Sequence, residues 1–273
     1  MSIAAVRTHR ISAPLHTPFV TALRRTSTVD TLVVEVVDTD GRSGFGEAPQ
    51  VWQVTGASIA GAQACVTEVL APLLTGRDPD DLAARCAEVR RAVAGNQAVK
   101  AAVDVALHDL AARRIGVPLV RLLGGVNRPV PTDVTLAAGD AVELAGAAKQ
   151  RVADGFDVLK VKVGTDAAGD LARVRAVRAA AGPGVRIRLD ANQGWTPREA
   201  VRVIRGIEDA DLDIELVEQP VPSWDLDGLA WVTERVNLPI LADEAVWGPR
   251  DLIQVIQRRA ADMVNVKFAK CGG

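Results

Sequence analysis

Short apolar runs alternate with alanine- and arginine-rich stretches of helical spacing over the second half of the chain. This alternation is typical of βα units, in which each strand is followed by a helix and the strands form a parallel sheet. The runs end 24 to 28 residues apart, a regularity that suits a (β/α)8-type barrel better than an open sheet. The pattern predicts six strands: Thr132–Leu136, Val158–Val163, Arg186–Asp190, Ile214–Glu218, Ile240–Asp243 and Met263–Lys267.

The first part of the chain follows a different pattern. The β-branched run Thr31–Asp38, the turn dipeptide Asp40-Gly41 and the run Ser43–Glu47 predict an antiparallel hairpin. Since the pattern changes after Gly124-Gly125, we predict an α/β protein with an α+β domain at residues 1–125 and a barrel domain at residues 126–273. Apolar residues at helical spacing predict three helices in the first domain: Ala57–Leu74, Asp80–Val93 and Gln97–Ile115.

Only six of the eight strands of such a barrel are visible. Two further units need roughly 50 residues at this period, whereas the sequence stops at Gly272-Gly273, directly after the sixth run. Either the chain is a fragment or the fold is not a closed barrel. An open parallel sheet would expose its edge strands, which proteins rarely tolerate, so we expect a C-terminally truncated chain with an incomplete barrel.

Composition narrows the class of partner. The 273 residues include 32 Lys and Arg against 34 Asp and Glu, a net charge of −2 without a basic block, which argues against nucleic-acid or anionic-membrane binding. Three widely spaced cysteines without a CxxC pair indicate neither a disulfide framework nor a zinc motif. No signal peptide and no run of ~20 apolar residues is visible. We expect a cytoplasmic protein with a small-molecule substrate, and leave homo-oligomerisation open.

Three carboxylates each end a predicted strand: Asp190 in RIRLD, Glu218 in IELVE and Asp243 in ILAD. The carboxyl ends of barrel strands meet at one rim, where the active sites of this fold lie. Carboxylates that converge repel one another, and a bound cation relieves the repulsion. Oxygen ligands without His or Cys favour Mg²⁺ over zinc. Each acid taken alone could instead cap a helix, but three in register favour the metal site.

Lysines accompany these carboxylates. Lys160 and Lys162 alternate with apolar residues in LKVKV, so both face one side of the strand. A solvent-facing strand is the alternative, but in a regular βα series the apolar side packs on helices and the lysines point inward. Lys267 ends the sixth predicted strand, across the ring. Mg²⁺ and neighbouring lysines lower the pKa of an amine, which suits a general base. We interpret Lys270 as structural or solvent-facing.

Five motifs carry a resemblance to a known family. In chain order they are LKVKVG, RLDANQGW, IELVEQP, LADEAV and VNVKFAKCGG. With these motifs in this order, the chain resembles the enolase superfamily, specifically its muconate-lactonizing-enzyme branch. The resemblance implies an N-terminal capping domain over a (β/α)8 barrel and Mg²⁺ held by Asp190, Glu218 and Asp243. It also implies that lysines after strands two and six flank the α-carbon of the substrate.

Within this branch the chain resembles dipeptide epimerases of the L-Ala-D/L-Glu type. The resemblance lies in FVTALR (19–24), GFGEAPQVWQVTG (44–56), residues 95–125 and TDVT (132–135). It implies that Arg24 pairs with the side-chain carboxylate of a substrate glutamate and that Thr135 lies in the substrate pocket. An arginine on a loop is more often a surface charge, but its planar fork suits bidentate recognition of a carboxylate.

The expected activity is that of an isomerase that moves a proton between the two faces of one carbon atom. Lys162 and Lys267 exchange the α-proton of a dipeptide or N-acyl amino acid, and Mg²⁺ and Lys160 stabilise the enediolate. Alternatives that use the same site are the reactions of o-succinylbenzoate synthase, N-acylamino-acid racemase and muconate cycloisomerase. The alternative from another class is an inactive, truncated metal-binding scaffold.

Overall fold

The computed structural model describes every residue from Met1 to Gly273 and contains two compact units. The first comprises residues 1–15, 28–129 and 267–273, and the second comprises residues 16–27 and 130–266. The predicted domain division, 1–125 and 126–273, differs from these units at residues 16–27, 126–129 and 267–273, and it stays a prediction. None of the helices combines the length and the apolar character that crossing a membrane requires.

An antiparallel sheet of three strands opens the chain, with β1 at Ile3–Val20, β2 at Arg25–Asp38 and β3 at Ser43–Pro49. The pairing of β2 with β3 confirms the predicted hairpin. The sequence pattern did not indicate β1, because most of its residues are exposed and show no strict alternation of apolar and polar positions.

Helices of the first unit pack on this sheet and confirm the three predicted helical segments. The first of them is interrupted by a π-helical turn, Cys65–Leu70, which precedes Pro72, a residue without a backbone N–H. A Cβ atom at Gly46 would lie 1.9 Å from the carbonyl oxygen of Ala102 in the helix Gln97–Arg114. Only glycine therefore allows β3 to lie this close to the backbone of that helix. The helices are α1 (Trp52–Thr55), α2 (Ile59–Ala64), α3 (Ala71–Leu74), α4 (Leu82–Ala92), α5 (Gln97–Arg114) and α6 (Leu119–Leu122).

The second unit is built on six parallel strands in sequential order, as the pattern of βα units predicted. The strands are β4 (Val134–Leu136), β5 (Val158–Lys162), β6 (Arg186–Asp190), β7 (Ile214–Glu218), β8 (Ile240–Ala242) and β9 (Met263–Val264). Its helices are α7 (Ala141–Ala153), α8 (Asp170–Ala181), α9 (Pro197–Asp209), α10 (Leu226–Thr233) and α11 (Pro249–Arg258). The last helix, α12 (Phe268–Cys271), belongs to the first unit.

Three strands end earlier than predicted, and β4 begins at Val134 rather than at Thr132. β5 ends at Lys162 rather than at Val163. β8 ends at Ala242 rather than Asp243, because the next backbone N–H donates to the side chain of Gln219 and not to a strand. The prediction that β9 reaches Lys267 is wrong, because its ladder with β8 stops at Val264. Lys267 instead precedes α12 as its N-cap residue.

Candidate active site at the carboxyl ends of the parallel strands

The strand register brings the predicted residues of β5, β6 and β7 to one face of the sheet. Lys162 pairs with Asp190, and Asp190 pairs with Glu218. Residues in register on parallel strands project to the same side. Thr135 on β4 is likewise the register partner of Lys160. The sheet therefore places these five predicted residues on one surface.

Both lysines of β5 form ion pairs with the carboxylates. Lys160 Nζ lies 2.8 Å from Asp190 Oδ2 and 2.6 Å from Glu218 Oε2. Lys162 Nζ lies 2.6 Å from Asp190 Oδ2 and 2.7 Å from Asn192 Oδ1. Since Asp190 and Glu218 are almost fully buried, the lysines point inward as predicted, and the solvent-facing alternative is wrong.

Burial and charge shift the pKa values of these groups in different directions. Burial opposes the ionisation of Asp190, but the charges of Lys162 and Lys160 outweigh it and lower the pKa of its carboxyl. Burial, followed by the charge of Asp190, raises the pKa of Glu218 to about 7, although Lys160 opposes the shift. Burial also works against the charge of Lys160, yet Asp190 and Glu218 prevail and raise its pKa.

Asp243 follows β8 and is completely buried. Its backbone N–H and that of Ala245 donate to Oε1 of Gln219, at 2.9 and 3.1 Å. Gln219 is itself fully buried and its Nε2 donates to the carbonyl oxygen of Val221. The side chain of Gln219 therefore determines where the chain leaves β8 and hence where Asp243 lies.

Glu244 is a fourth buried carboxylate, and the sequence pattern did not indicate its role. Its Oε1 accepts a hydrogen bond from Asn192 at 3.3 Å, and its Oε2 is buried without a hydrogen-bond partner. Burial, then the charges of Asp243 and Asp190, raise the pKa of its carboxyl. In the sequence only their positions mark these two residues, since Asn192 follows Asp190 by two residues and Glu244 directly follows Asp243.

The donor set fits a divalent cation. Asp190, Glu218 and Asp243 are all buried, and the charges of Asp190 and Asp243 each help raise the pKa of a neighbouring carboxyl in the cluster. Oxygen donors of this kind suit Mg²⁺. An additional positive charge here would relieve the repulsion that the two lysines leave uncompensated.

The tip of the β1–β2 hairpin, residues 16–27, belongs to the second unit. The backbone N–H of Ala138 donates to the carbonyl oxygen of Val20 at 3.0 Å, and the ring of Phe19 lies 5.8 Å from Lys162 Nζ, within the range of a cation–π interaction. No pattern in the sequence distinguished Phe19 from the other residues of FVTALR. The side chain of Arg24, at the same tip, is half-buried, and burial lowers the pKa of its guanidinium.

Two further lysines lie in the first unit. Lys267 is exposed, and its proposed location opposite Lys162 stays a prediction. Lys270 is only 2% exposed, so of its two interpretations the solvent-facing one is wrong and the structural one remains.

A barrel-type parallel sheet whose strand ends carry buried carboxylates and lysines has the features of an acid–base enzyme, and its carboxylates suit a divalent cation. The chain belongs to the mandelate racemase/muconate lactonizing enzyme family of the enolase superfamily. Residues 3–124 match the family model described as "Mandelate racemase / muconate lactonizing enzyme, N-terminal domain", and residues 143–273 match "Enolase C-terminal domain-like". The resemblance inferred from the motifs is confirmed.

Individual relatives are similar along the whole chain. The L-Ala-D/L-Glu epimerase of Bacillus subtilis (strain 168) is 43% identical, and the match covers 100% of this chain and 75% of that protein. The solved structure of a substrate-liganded complex of the B. subtilis epimerase has a TM-score of 0.97 and is covered to 76%. The solved structure of the dipeptide epimerase of Enterococcus faecalis V583, complexed with Mg and the dipeptide L-Leu-L-Tyr, is also similar, with a TM-score of 0.95. The two sequences are 37% identical, and the match covers 100% of this chain and 76% of that chain.

Proposed function

We propose that the protein is a Mg²⁺-dependent dipeptide epimerase of the L-Ala-D/L-Glu type, an isomerase that acts by two-base proton transfer. The observation that carries the proposal is the pair of inward lysines of β5 in direct contact with Asp190 and Glu218. An amine beside a carboxylate-lined cation site is what proton abstraction next to a substrate carboxylate requires. The names of the B. subtilis and E. faecalis relatives support the choice of a dipeptide as substrate.

Each residue has a distinct role in this proposal. Asp190, Glu218 and Asp243 hold Mg²⁺, which when bound stabilises negative charge on the substrate carboxylate. Lys162 removes or returns the α-proton on one face, and Lys267 does so on the other. The ammonium of Lys160 donates to the carboxylate oxygens on which charge develops.

Specificity is assigned to the hairpin tip and to β4. Arg24 binds the side-chain carboxylate of the substrate glutamate, a role that a half-buried guanidinium supports. Thr135, beside Lys160 in the sheet, lies against the substrate. A cytoplasmic location and a homo-oligomeric assembly stay predictions.

The test is incubation of the protein with Mg²⁺ and single dipeptides in deuterated water. L-Ala-L-Glu and L-Ala-D-Glu should each incorporate deuterium at the glutamate α-carbon and interconvert, as followed by NMR. Arg24→Met should weaken this reaction more than that of a dipeptide with an uncharged second residue, because only the glutamate-containing dipeptide presents a side-chain carboxylate to Arg24. N-acyl amino acids and muconate serve as competing substrates. Exchange confined to N-acyl amino acids, or none at all, would contradict the proposal.

A further inference from the structure

The ammonium group of Lys162 contacts two acceptors of different kinds. One is Asp190 Oδ2 at 2.6 Å, which also accepts from Lys160 at 2.8 Å and belongs to a proposed metal ligand. The other is Asn192 Oδ1 at 2.7 Å. The amide oxygen is a neutral acceptor engaged by Lys162 alone, so it is the acceptor that can orient this amine without being shared.

The side chain of Asn192 is held in a single orientation. Its Nδ2 donates to Glu244 Oε1 at 3.3 Å, and its backbone N–H donates to Asp190 Oδ1 at 2.9 Å. Asn192 is 7% exposed and Glu244 is 4% exposed. Rotating the amide by 180° would turn its NH₂ group toward the ammonium and its oxygen toward the carboxylate, so both hydrogen bonds would be lost.

The backbone around Asn192 is equally constrained. Asn192 has a φ of 43°, a left-handed conformation that asparagine tolerates better than most residues. A Cβ atom at Gly194 would lie 2.3 Å from the carbonyl oxygen of Gly164, and one at Gly164 would lie 2.3 Å from that of Ala191. The turn is thus pressed against the end of β5, two residues beyond Lys162.

We propose that Asn192 and Glu244 are positioning residues that direct the amine of Lys162 toward the substrate. This inference rests on the proposed function. A lysine side chain has four rotatable carbon–carbon bonds, and a base works only when its nitrogen lies within hydrogen-bond reach of the proton. Asn192 selects one direction for Nζ, and Glu244 holds Asn192. Both residues therefore serve only the face of the substrate on which Lys162 acts.

The test measures deuterium uptake separately from L-Ala-L-Glu and from L-Ala-D-Glu. Lys162→Ala identifies the epimer whose exchange depends on Lys162, because the other epimer exchanges through the opposite base. Asn192→Ala should slow exchange of that same epimer by on the order of 10- to 100-fold and leave the other within about threefold.

Gln193→Ala is the matched control. Gln193 also has a positive φ, 68°, but its side chain accepts from the backbone of Ser223 at 2.9 Å and not from a lysine. It should affect both epimers equally. If Asn192→Ala does not fold, Glu244→Leu replaces it, because loss of the Glu244 acceptor releases the amide of Asn192. The same epimer should then be affected.

Three results would overturn the proposal. Equal slowing of both epimers by Asn192→Ala would indicate a merely structural role. Slowing of the epimer that survives in Lys162→Ala would assign Asn192 to the opposite base. If the unsubstituted protein exchanges neither dipeptide, the proposed function fails and this inference fails with it, whereas the first two results leave the proposed function intact.

Discussion

The two faces of the parallel sheet in the second unit differ in character, although they alternate along the same short strands. On the outer face, Leu159, Val161, Ile187 and Leu189 are fully buried in an apolar cluster with the surrounding helices. On the inner face, the residues between them are charged. Because the side chains of a strand alternate between two faces, one set of residues can stabilise the fold while the other set forms the site.

The charged character of the inner face extends below the rim. Arg188 lies 2.5 Å from Glu215 and 3.2 Å from Asp133, and it is the register partner of Lys160. Removing charges from water costs free energy that ion pairs do not always recover. The outer face must offset this cost, because apolar burial contributes roughly 25 cal/mol per Å².

The largest effect should come from the inner face, at Asp190. Asp190→Asn keeps the size of the side chain but removes the charge that Lys160 and Lys162 contact. We expect deuterium exchange of both dipeptide epimers to fall on the order of 10³-fold or more, together with loss of the Mg²⁺-induced increase in Tm. Asp213→Asn, at an exposed site, is the control. Retained exchange in Asp190→Asn would remove this residue from the site.

Leu189, directly before Asp190, tests the outer face. Leu189→Ala should lower the free energy of unfolding by about 2–5 kcal/mol, because it leaves a cavity in the apolar cluster. Turnover of the folded protein should change by less than about threefold. Urea unfolding and kcat measure the two quantities, and Val142→Ala, at a residue 82% exposed, should affect neither. Loss of turnover without loss of stability would show that the two faces are not separable.

A smaller effect concerns pH. In the folded protein the pKa of Glu218 is raised to about 7, so between about 4.5 and 7 the folded state binds more protons at this group than the unfolded state. Stability of the metal-free protein should therefore fall as pH rises through this range. Glu218→Gln should flatten the decline in chemical-denaturation curves. Mg²⁺ should raise Tm more at pH 7.5 than at pH 5, because its ligands must be deprotonated; a stabilisation independent of pH would contradict this.

The smallest effect should come from the N-terminus of α9, away from both faces. The side chain of Thr196 accepts from the backbone N–H of Glu199, and Glu199 in return accepts from that of Thr196. Thr196→Ala should cost about 1 kcal/mol of stability and leave turnover unchanged, whereas Thr196→Ser should cost little because it keeps the hydroxyl. A Thr196→Ala variant as stable as the unsubstituted protein would refute the role of this cap.

The elements of the sheet were predictable to different degrees. The bounds of β6 and β7 agree exactly with the predicted ones, because each is a compact run that ends at a carboxylate. β9 is shorter than predicted, since a strand ends where its partner ends and not where its own apolar run does. β1 was missed because its exposed residues show no alternation.

The site was predictable in the lysines and carboxylates that end its strands but not in its supporting residues. Lysines and carboxylates at strand ends are visible in LKVKV and RIRLD. The supporting residues are Phe19, Asn192, Gln219 and Glu244. No local sequence feature marks them, because their roles depend on contacts made in the folded protein. Asn192 accepts a hydrogen bond from Lys162, which lies 30 residues before it in the chain. It donates one to Glu244, which lies 52 residues after it.

The sequence by itself therefore determined the strand–helix alternation, the separation of an apolar from a charged face, and the kind of chemistry that lysines and carboxylates support. These follow from local periodicity, since the side chains of a strand alternate whatever surrounds it. Only the tertiary structure decided where β8 and β9 end, which amide contacts Lys162, and which aromatic ring lies beside it. Those features depend on contacts between segments far apart in the chain, and such contacts exist only once the sheet and its loops have packed.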